Sequence, residues 1–296
     1  MTDPKRHHFV PKFYLSNFCR DGLLWVYDKK NRICRKQQPV DTCVIKHFYT
    51  VQIDNNEKYV GLEKFYSIIE FYAKLAIDKL KSRKELNEDD MGSLCFFIAF
   101  MFTRNPISIA AAESIMKDMG HRMAVDGFGS VERAKQSLAE FERSSGEKYE
   151  ISAEEMQEYI CSDDFKFEVS KGWPLGLNFQ LGFELYPILW QLDWYIFWSP
   201  NDYSFITSDR PFNIVSFTVG VNAPEVGILT PGTLKVVSLT PNCCLIMENA
   251  GNKLLYQKMH KPFARWINEC ISKGSDRFVI ARDESQLRKL AKLLAV

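Results

Sequence analysis

Apolar and polar positions change period twice along this chain. Near its start, Phe13-Tyr14-Leu15-Ser16-Asn17-Phe18 follows Pro11. A proline suits the first turn of a helix, where an N–H needs no partner, so a short helix is predicted there. Leu23 to Asp28 reads as a strand, Lys29-Lys30-Asn31 as a polar turn, Ile33-Cys34 as the start of a return strand, and Phe48 to Ile53 as a further strand. From Leu62 the period becomes helical. Leu62, Phe65, Tyr66, Ile69, Tyr72, Ala73, Ala76 and Leu80 fall on one stripe, and Glu70 and Lys74 form an i,i+4 pair. Asn87 is placed to cap a second helix, with Glu88, Asp89 and Asp90 in its first turn. That helix passes through Leu94–Phe102, apolar on all sides and therefore buried, and Asn105-Pro106 ends it. Further helices are predicted over Ile107–Val125, Val131–Arg143 and Ala153–Asp163, and Ser152-x-x-Glu155 fits a capping box. Ser144–Lys148 reads as a flexible loop, and Pro174–Leu192 as one more helix.

The last third turns to β. Trp194–Trp198 and Tyr203–Thr207 flank a Pro-Asn-Asp turn and read as a hairpin. Ile214–Val219, Leu234–Leu239 and Cys244–Met247 are further strands bounded by Gly, Pro or Asn. A helix through Ala264–Ile271, a strand at Arg277–Ala281 and a short terminal helix close the chain. The pattern predicts an α+β fold in one domain over residues 1–296. Residues 1–55 supply a helix and a small β region, 56–192 are mainly helical, and 193–296 are mainly β with a helix near the C-terminus. The central helical region is expected to pack against mostly antiparallel strands from both ends of the chain.

Composition narrows the function classes. Hydrophobic residues make up 46% and charged residues 25%, ordinary for a globular protein, and 22 Phe can fill a substantial core. A formal net charge of +1 gives no general attraction to nucleic acid or anionic membrane, so nucleotide or nucleic-acid binding would need a local patch. The 8 cysteines are scattered without a Cys-x-x-Cys, and the N-terminal residues are polar, so reduced thiols in a cytoplasm are expected. The longest apolar run, Leu94–Phe102, is well short of the ~18 residues of a membrane span, and no membrane partner is expected.

Candidate chemistry concentrates at a few positions. His7 and His8 are adjacent, and imidazoles can titrate, bind metal or activate water near neutral pH. In extended backbone the two point opposite ways, so only one faces a given site. Phe205-Ile206-Thr207-Ser208-Asp209-Arg210-Pro211 ends an apolar strand in a polar turn, where groups are rigid yet accessible. A capped turn explains the same residues without chemistry. Glu63 and Glu70 lie seven residues apart along one helix flank, and Arg104 sits at the C-terminal end of the most apolar helix, placed to clamp an anion or pair with a carboxylate. Cys243-Cys244 and Cys43-x-x-x-His47 lack partners at zinc spacing, and no nucleophile elbow, P-loop or dinucleotide fingerprint is present.

His-His-Phe-Val-Pro superficially resembles the His-x-x-Pro opening of HNH nucleases. The Gly-rich β turn and zinc knuckle are missing, and a helix follows too soon. Arg6–Leu15 with Phe18, Leu24–Asp28, Phe48-Tyr49-Thr50, Leu62-Glu63, Thr103-Arg104-Asn105-Pro106, Phe205–Pro211 and Leu239-Thr240-Pro241 together resemble the mainly bacterial domain of unknown function 4238 family. The resemblance implies a full-length domain and brings no activity or cofactor. Asp118–Asp164 carries none of these marks.

The sequence therefore supports two expectations. In one, the N-terminal bend and the Ser208–Pro211 turn meet near Glu63 and Arg104 and hydrolyse a phosphodiester, with a divalent metal as an optional cofactor. His7 or His8 is then base or ligand, Asp209 a ligand or orienting carboxylate, Arg104 an anion clamp, and Ser208 and Arg210 further binding groups. In the other, the protein is a non-catalytic binding or regulatory protein and these residues form a buried structural network.

Overall fold

The computed structural model describes residues 6–52, 58–59, 61–148, 150–251 and 253–294. The chain opens with β1 (Arg6–His8), α1 (Lys12–Ser16), β2 (Leu24–Asp28) and β3 (Ile33–Gln37). A single 3-10 turn at Pro39–Asp41 leads to β4 (Val44–Lys46), β5 (Val51–Gln52) and β6 (Lys58–Tyr59). The helical stretch comprises α2 (Gly61–Lys81), α3 (Glu88–Thr103), α4 (Pro106–Phe128), α5 (Val131–Ser145), α6 (Ala153–Ile160) and α7 (Gly172–Trp190). Strands β7 (Leu192–Trp198), β8 (Thr207–Ser208), β9 (Phe212–Ser216), β10 (Gly220–Val221), β11 (Thr233–Thr240), β12 (Cys243–Ala250) and β13 (Leu254–Lys258) follow. Helix α8 (Lys261–Gly274), strand β14 (Phe278–Ala281) and helix α9 (Glu284–Leu294) complete the fold, which is α+β.

The chain forms two compact units, Met1–Pro106 with Phe179–Val296, and Ile107–Asn178. In the first, a six-stranded sheet runs in the order β10-β9-β11-β12-β7-β13, antiparallel except where β13 lies parallel to β7. A four-stranded sheet has the order β3-β2-β14-β8, and β1 pairs with β4. Side chains alternate across a strand, and here both faces are covered. Trp194, Ile196, Val237, Leu245 and Met247 pack with α1, α2, α3 and the end of α7. Val236, Cys244 and Ile246 pack on the opposite face with Ala264, Ile267 and Ile271 of α8 and Leu287 of α9. Burial on both faces explains why these strands read as continuous apolar runs.

The second unit is helical. Ser130 caps α5 by accepting from Arg133 N–H, and Gly146, at φ 75°, ends that helix in the left-handed region. Ser152 and Glu155 form the expected capping box on α6. Gly120 of α4 is packed against the Phe167 ring so closely that a Cβ would stand 2.2 Å from it.

Local signals placed most helices correctly. Asn87 accepts from Asp90 N–H at 2.9 Å, and the Asp90 carboxylate accepts from Asn87 N–H at 2.9 Å, which fixes the start of α3. The hairpin of Trp194–Trp198 with Tyr203–Thr207 does not form. Strand β7 pairs with β12 and β13, while Thr207–Ser208 crosses to the other sheet and pairs with β14. Two apolar strands separated by a turn carry no record of which neighbours their backbone groups will find. The strand expected over Phe48–Ile53 is reduced to Val51–Gln52, with Phe48 and Tyr49 in a turn; Ile53 lies outside the described residues. Among the described residues no single helix is long and apolar enough to cross a membrane.

Two buried polar groups tie the first unit together. Tyr14 in α1 is fully buried, its hydroxyl 2.6 Å from Ser238 O, to which it donates, and 2.7 Å from Thr207 Oγ1. Asp28, fully buried at the end of β2, accepts from Arg277 Nε and Nη2 at 3.1 and 2.8 Å and from Asn31 Nδ2 at 2.8 Å. The Arg277 guanidinium, helped by N–H donors of the Lys29–Asn31 turn, holds its carboxyl well below the usual carboxylate range. Tyr14→Phe is expected to cost about 1–3 kcal/mol, because a buried carbonyl loses its donor; urea unfolding measures it. Stability from Asp28 is present above its unfolded value and is lost as pH falls through the lowered one. The gap in melting temperature between the native chain and Asp28→Asn should therefore be large at neutral pH and narrow toward strong acid.

Candidate functional site

Pairing of β1 with β4 sets His7 opposite Ile45 and His8 opposite Val44. The pleat turns His7 inward, 3% exposed, and leaves His8 half-buried on the other side. His8 Nε2 stands 3.2 Å from Pro39 O. Burial lowers the His8 pKa, against the raising effects of Pro39 O and Glu70. His7 Nδ1 accepts from the Tyr49 N–H at 2.8 Å, and the two rings stack with an interplanar angle of 8°. An accepting Nδ1 leaves the hydrogen of a neutral imidazole on Nε2. That nitrogen lies 3.6 Å from Glu63 Oε2, in a carboxylate about one-third exposed.

Glu63 and Glu70 are two turns apart on α2 and occupy one face of it. Each is held from beneath by a buried group. Glu70 Oε1 is 2.8 Å from Arg104 Nη1, and the Arg104 side chain is 3% exposed. Its guanidinium lies over the Tyr66 ring, 5.0 Å from the centroid. The Tyr49 hydroxyl donates to Arg104 O at 3.2 Å, which links the His7 and Arg104 halves. Burial raises the Tyr49 hydroxyl well above its ordinary pKa and pushes Tyr66 up to about 12. The expected Glu70–Lys74 pair yields to Arg104, a guanidinium that α3 delivers already desolvated. Among the described residues Thr50 Oγ1, Thr103 Oγ1 and Arg104 Nε are buried without a hydrogen-bond partner.

The Ser208–Pro211 turn is connected to this group through Asn105, whose Nδ2 donates to Asp209 O at 2.7 Å. The Asp209 carboxylate turns elsewhere. Its oxygens accept from the backbone N–H of Asp276, Arg277 and Phe278 at 3.0, 2.7 and 2.8 Å, and the residue is 4% exposed. Ser208 Oγ donates to Arg210 O at 2.8 Å and accepts from Arg210 N–H at 3.1 Å. Arg210 is half-buried beside Asp276 and Asp209. Thus the structure brings together His7, Glu63, Glu70 and Arg104 around Tyr49 and Tyr66, sets His8 on the other side of β1 beside Pro39 O, and joins Ser208, Asp209 and Arg210 to the group through the Asn105 amide. Three contributors escaped sequence reasoning. In the sequence Tyr49 reads as a strand residue, Asn105 as a helix stop, and Tyr66 as one more member of an apolar stripe. Tyr49 and Asn105 lie in the stretches Phe48–Thr50 and Thr103–Pro106 that carry the family resemblance, whereas Tyr66 has no such mark. No group of three or more His, Cys, Asp or Glu side chains converges to hold a metal among the described residues.

Burial pushes the Asp209 carboxyl up to about 6 in spite of its three N–H donors. A folded group that binds its proton more tightly than the unfolded one adds stability as pH falls from above 6 toward 3.8, and this contribution shrinks on the way up. Asp209→Asn should abolish that part of the pH dependence. It should also destabilise the protein by about 2–4 kcal/mol, because an amide cannot accept from three N–H groups. Urea titrations at several pH values check both outcomes.

No curated protein and no solved structure matches this chain. The model of the family described as "Protein of unknown function (DUF4238)" matches residues 6–285, from the first residue of β1 into α9 and through every stretch that meets at this site, and the chain belongs to that family.

Proposed function

We propose that the protein is a hydrolase acting on phosphodiesters, with its reaction centre at the His7–Glu63 pair. The observation that carries this reading is the fixed tautomer of His7. Tyr49 N–H occupies Nδ1, so the Nε2–H faces a carboxylate that reaches solvent. The arrangement suits Glu63 to take a proton from a water molecule while that water attacks phosphorus and the leaving oxygen departs with a solvent proton. His7 positions Glu63, and Arg104 positions Glu70 on the same helix face. Arg210 stands beside Asp276 and Asp209, and no phosphate contact is assigned to it. Asp209 is a positioning residue in this scheme, since its carboxylate is already engaged. Metal assistance finds no converging ligand set among the described residues, and no step is assigned to it.

A second reading has its own support. Three backbone donors on Asp209 and the Tyr14 bridge are what a purely structural network would show, in a protein that binds without catalysis. The two readings separate on Glu63, whose carboxylate is about one-third exposed. Hydrolysis of bis(p-nitrophenyl) phosphate by the full chain should fall by ~10²–10⁴-fold in Glu63→Gln, with an unchanged melting temperature. His7→Asn, which keeps an acceptor for Tyr49 N–H, should lower turnover more than substrate affinity. Absence of turnover in the native chain, over a panel of phosphodiesters with and without Mg²⁺ or Mn²⁺, would overturn the hydrolase reading in favour of the binding one.

A further inference from the structure

A separate cavity of about 470 Å³ opens between α2, α3 and the C-terminal part of α7. It uses the side of α2 roughly opposite Glu63 and Glu70, since Tyr72 lies nine residues from Glu63 and 100° per residue places the two half a turn apart. Its walls are aromatic. The Phe96 and Tyr186 rings stack 4.2 Å apart, the Trp190 ring lies 6.2 Å beyond Tyr186, and Tyr72 is more than half exposed at the edge. Glu88 and Asp89 line the same cavity, and among the described residues no lysine or arginine does. Lys79 is not available to these two carboxylates, because it is engaged 2.6 Å from Asp90.

The chemistry of this lining selects by charge. Aromatic faces present negative density, and the two carboxylates add a full negative field at the mouth of a low-dielectric cleft. An anion is repelled there. A neutral apolar ligand gains the walls but draws nothing from the carboxylates. An alkylated ammonium gains both, as its methyl groups bury against the rings and its charge interacts with ring faces and carboxylates. The cavity floor includes Gly92 of α3, where a Cβ would stand 3.5 Å from Tyr186 Oη and 3.6 Å from Trp190 Cζ3, so a longer side chain at this position would project into the space.

We propose that this cavity is a binding site for a small organic cation of the quaternary or alkylated ammonium class. Calorimetric titration of the full chain with choline and with tetramethylammonium tests it, beside neohexyl alcohol, the neutral carbon isostere of choline. Saturable binding of a cation is expected, tighter than the isostere by roughly tenfold or more. The double variant Glu88→Gln/Asp89→Asn should lose that preference and retain the weak affinity for the isostere. Gly92→Met should abolish binding of both while the circular dichroism spectrum stays unchanged. Equal affinity for choline and its isostere, or no saturable heat with either cation, overturns the proposal. Loss of phosphodiester turnover in Glu63→Gln has no bearing on it, because the two sites share no lining residue.

Discussion

The Tyr14 hydroxyl is the contact on which the arrangement of the first unit depends. It lies in a helix of five residues, too short to persist alone, and it is fully buried. A phenol in that position without partners would be costly. Thr207 Oγ1 and Ser238 O meet it, and each belongs to a different sheet. The hydroxyl therefore fixes α1 against both sheets at once. Because Pro11 and Phe9 lead directly into α1, it also fixes where β1 must run. His7 is presented to Tyr49 and Glu63 as a consequence of that anchoring.

Buried polar groups act here as specification. Apolar packing alone tolerates many small shifts of a helix over a sheet. Asp209 accepting three backbone N–H groups, Asp28 forked by Arg277, and Asn105 holding Asp209 O each admit one register only. Together they leave the ends of β2, β8 and β14 and the end of α3 in a single relative placement. Glu63 and Glu70 remain partly exposed on one face of α2.

The legible part of the chain was that governed by local physics. Helical periodicity in Leu62–Leu80, the Asn87 cap and the Ser152 capping box state their own outcome within a few residues. The α+β class and most strand positions followed from the same periodicities. Partner choice was not legible. Whether Trp194–Trp198 pairs with Tyr203–Thr207 or with Cys243–Ala250 depends on which backbone edges remain open after everything else has packed. The site was legible as a set of residue types, His7, His8, Glu63, Arg104 and Asp209. It was not legible as a geometry, because the groups that orient those residues, Tyr49 N–H and the N–H groups of residues 276–278, are backbone atoms and leave no mark in composition.

The separation between Tyr14 and Ser238, 224 residues, has a temporal meaning. During synthesis at ~5–20 residues per second, Ser238 follows Tyr14 out of the ribosome by roughly 10–45 s. Through that interval α1 has Phe97 of α3 to pack against, but the Tyr14 hydroxyl lacks the carbonyl to which it donates. The N-terminal strand that carries both histidines can pair with β4 early, while the polar anchor that fixes α1 against both sheets closes only after β11 has been made.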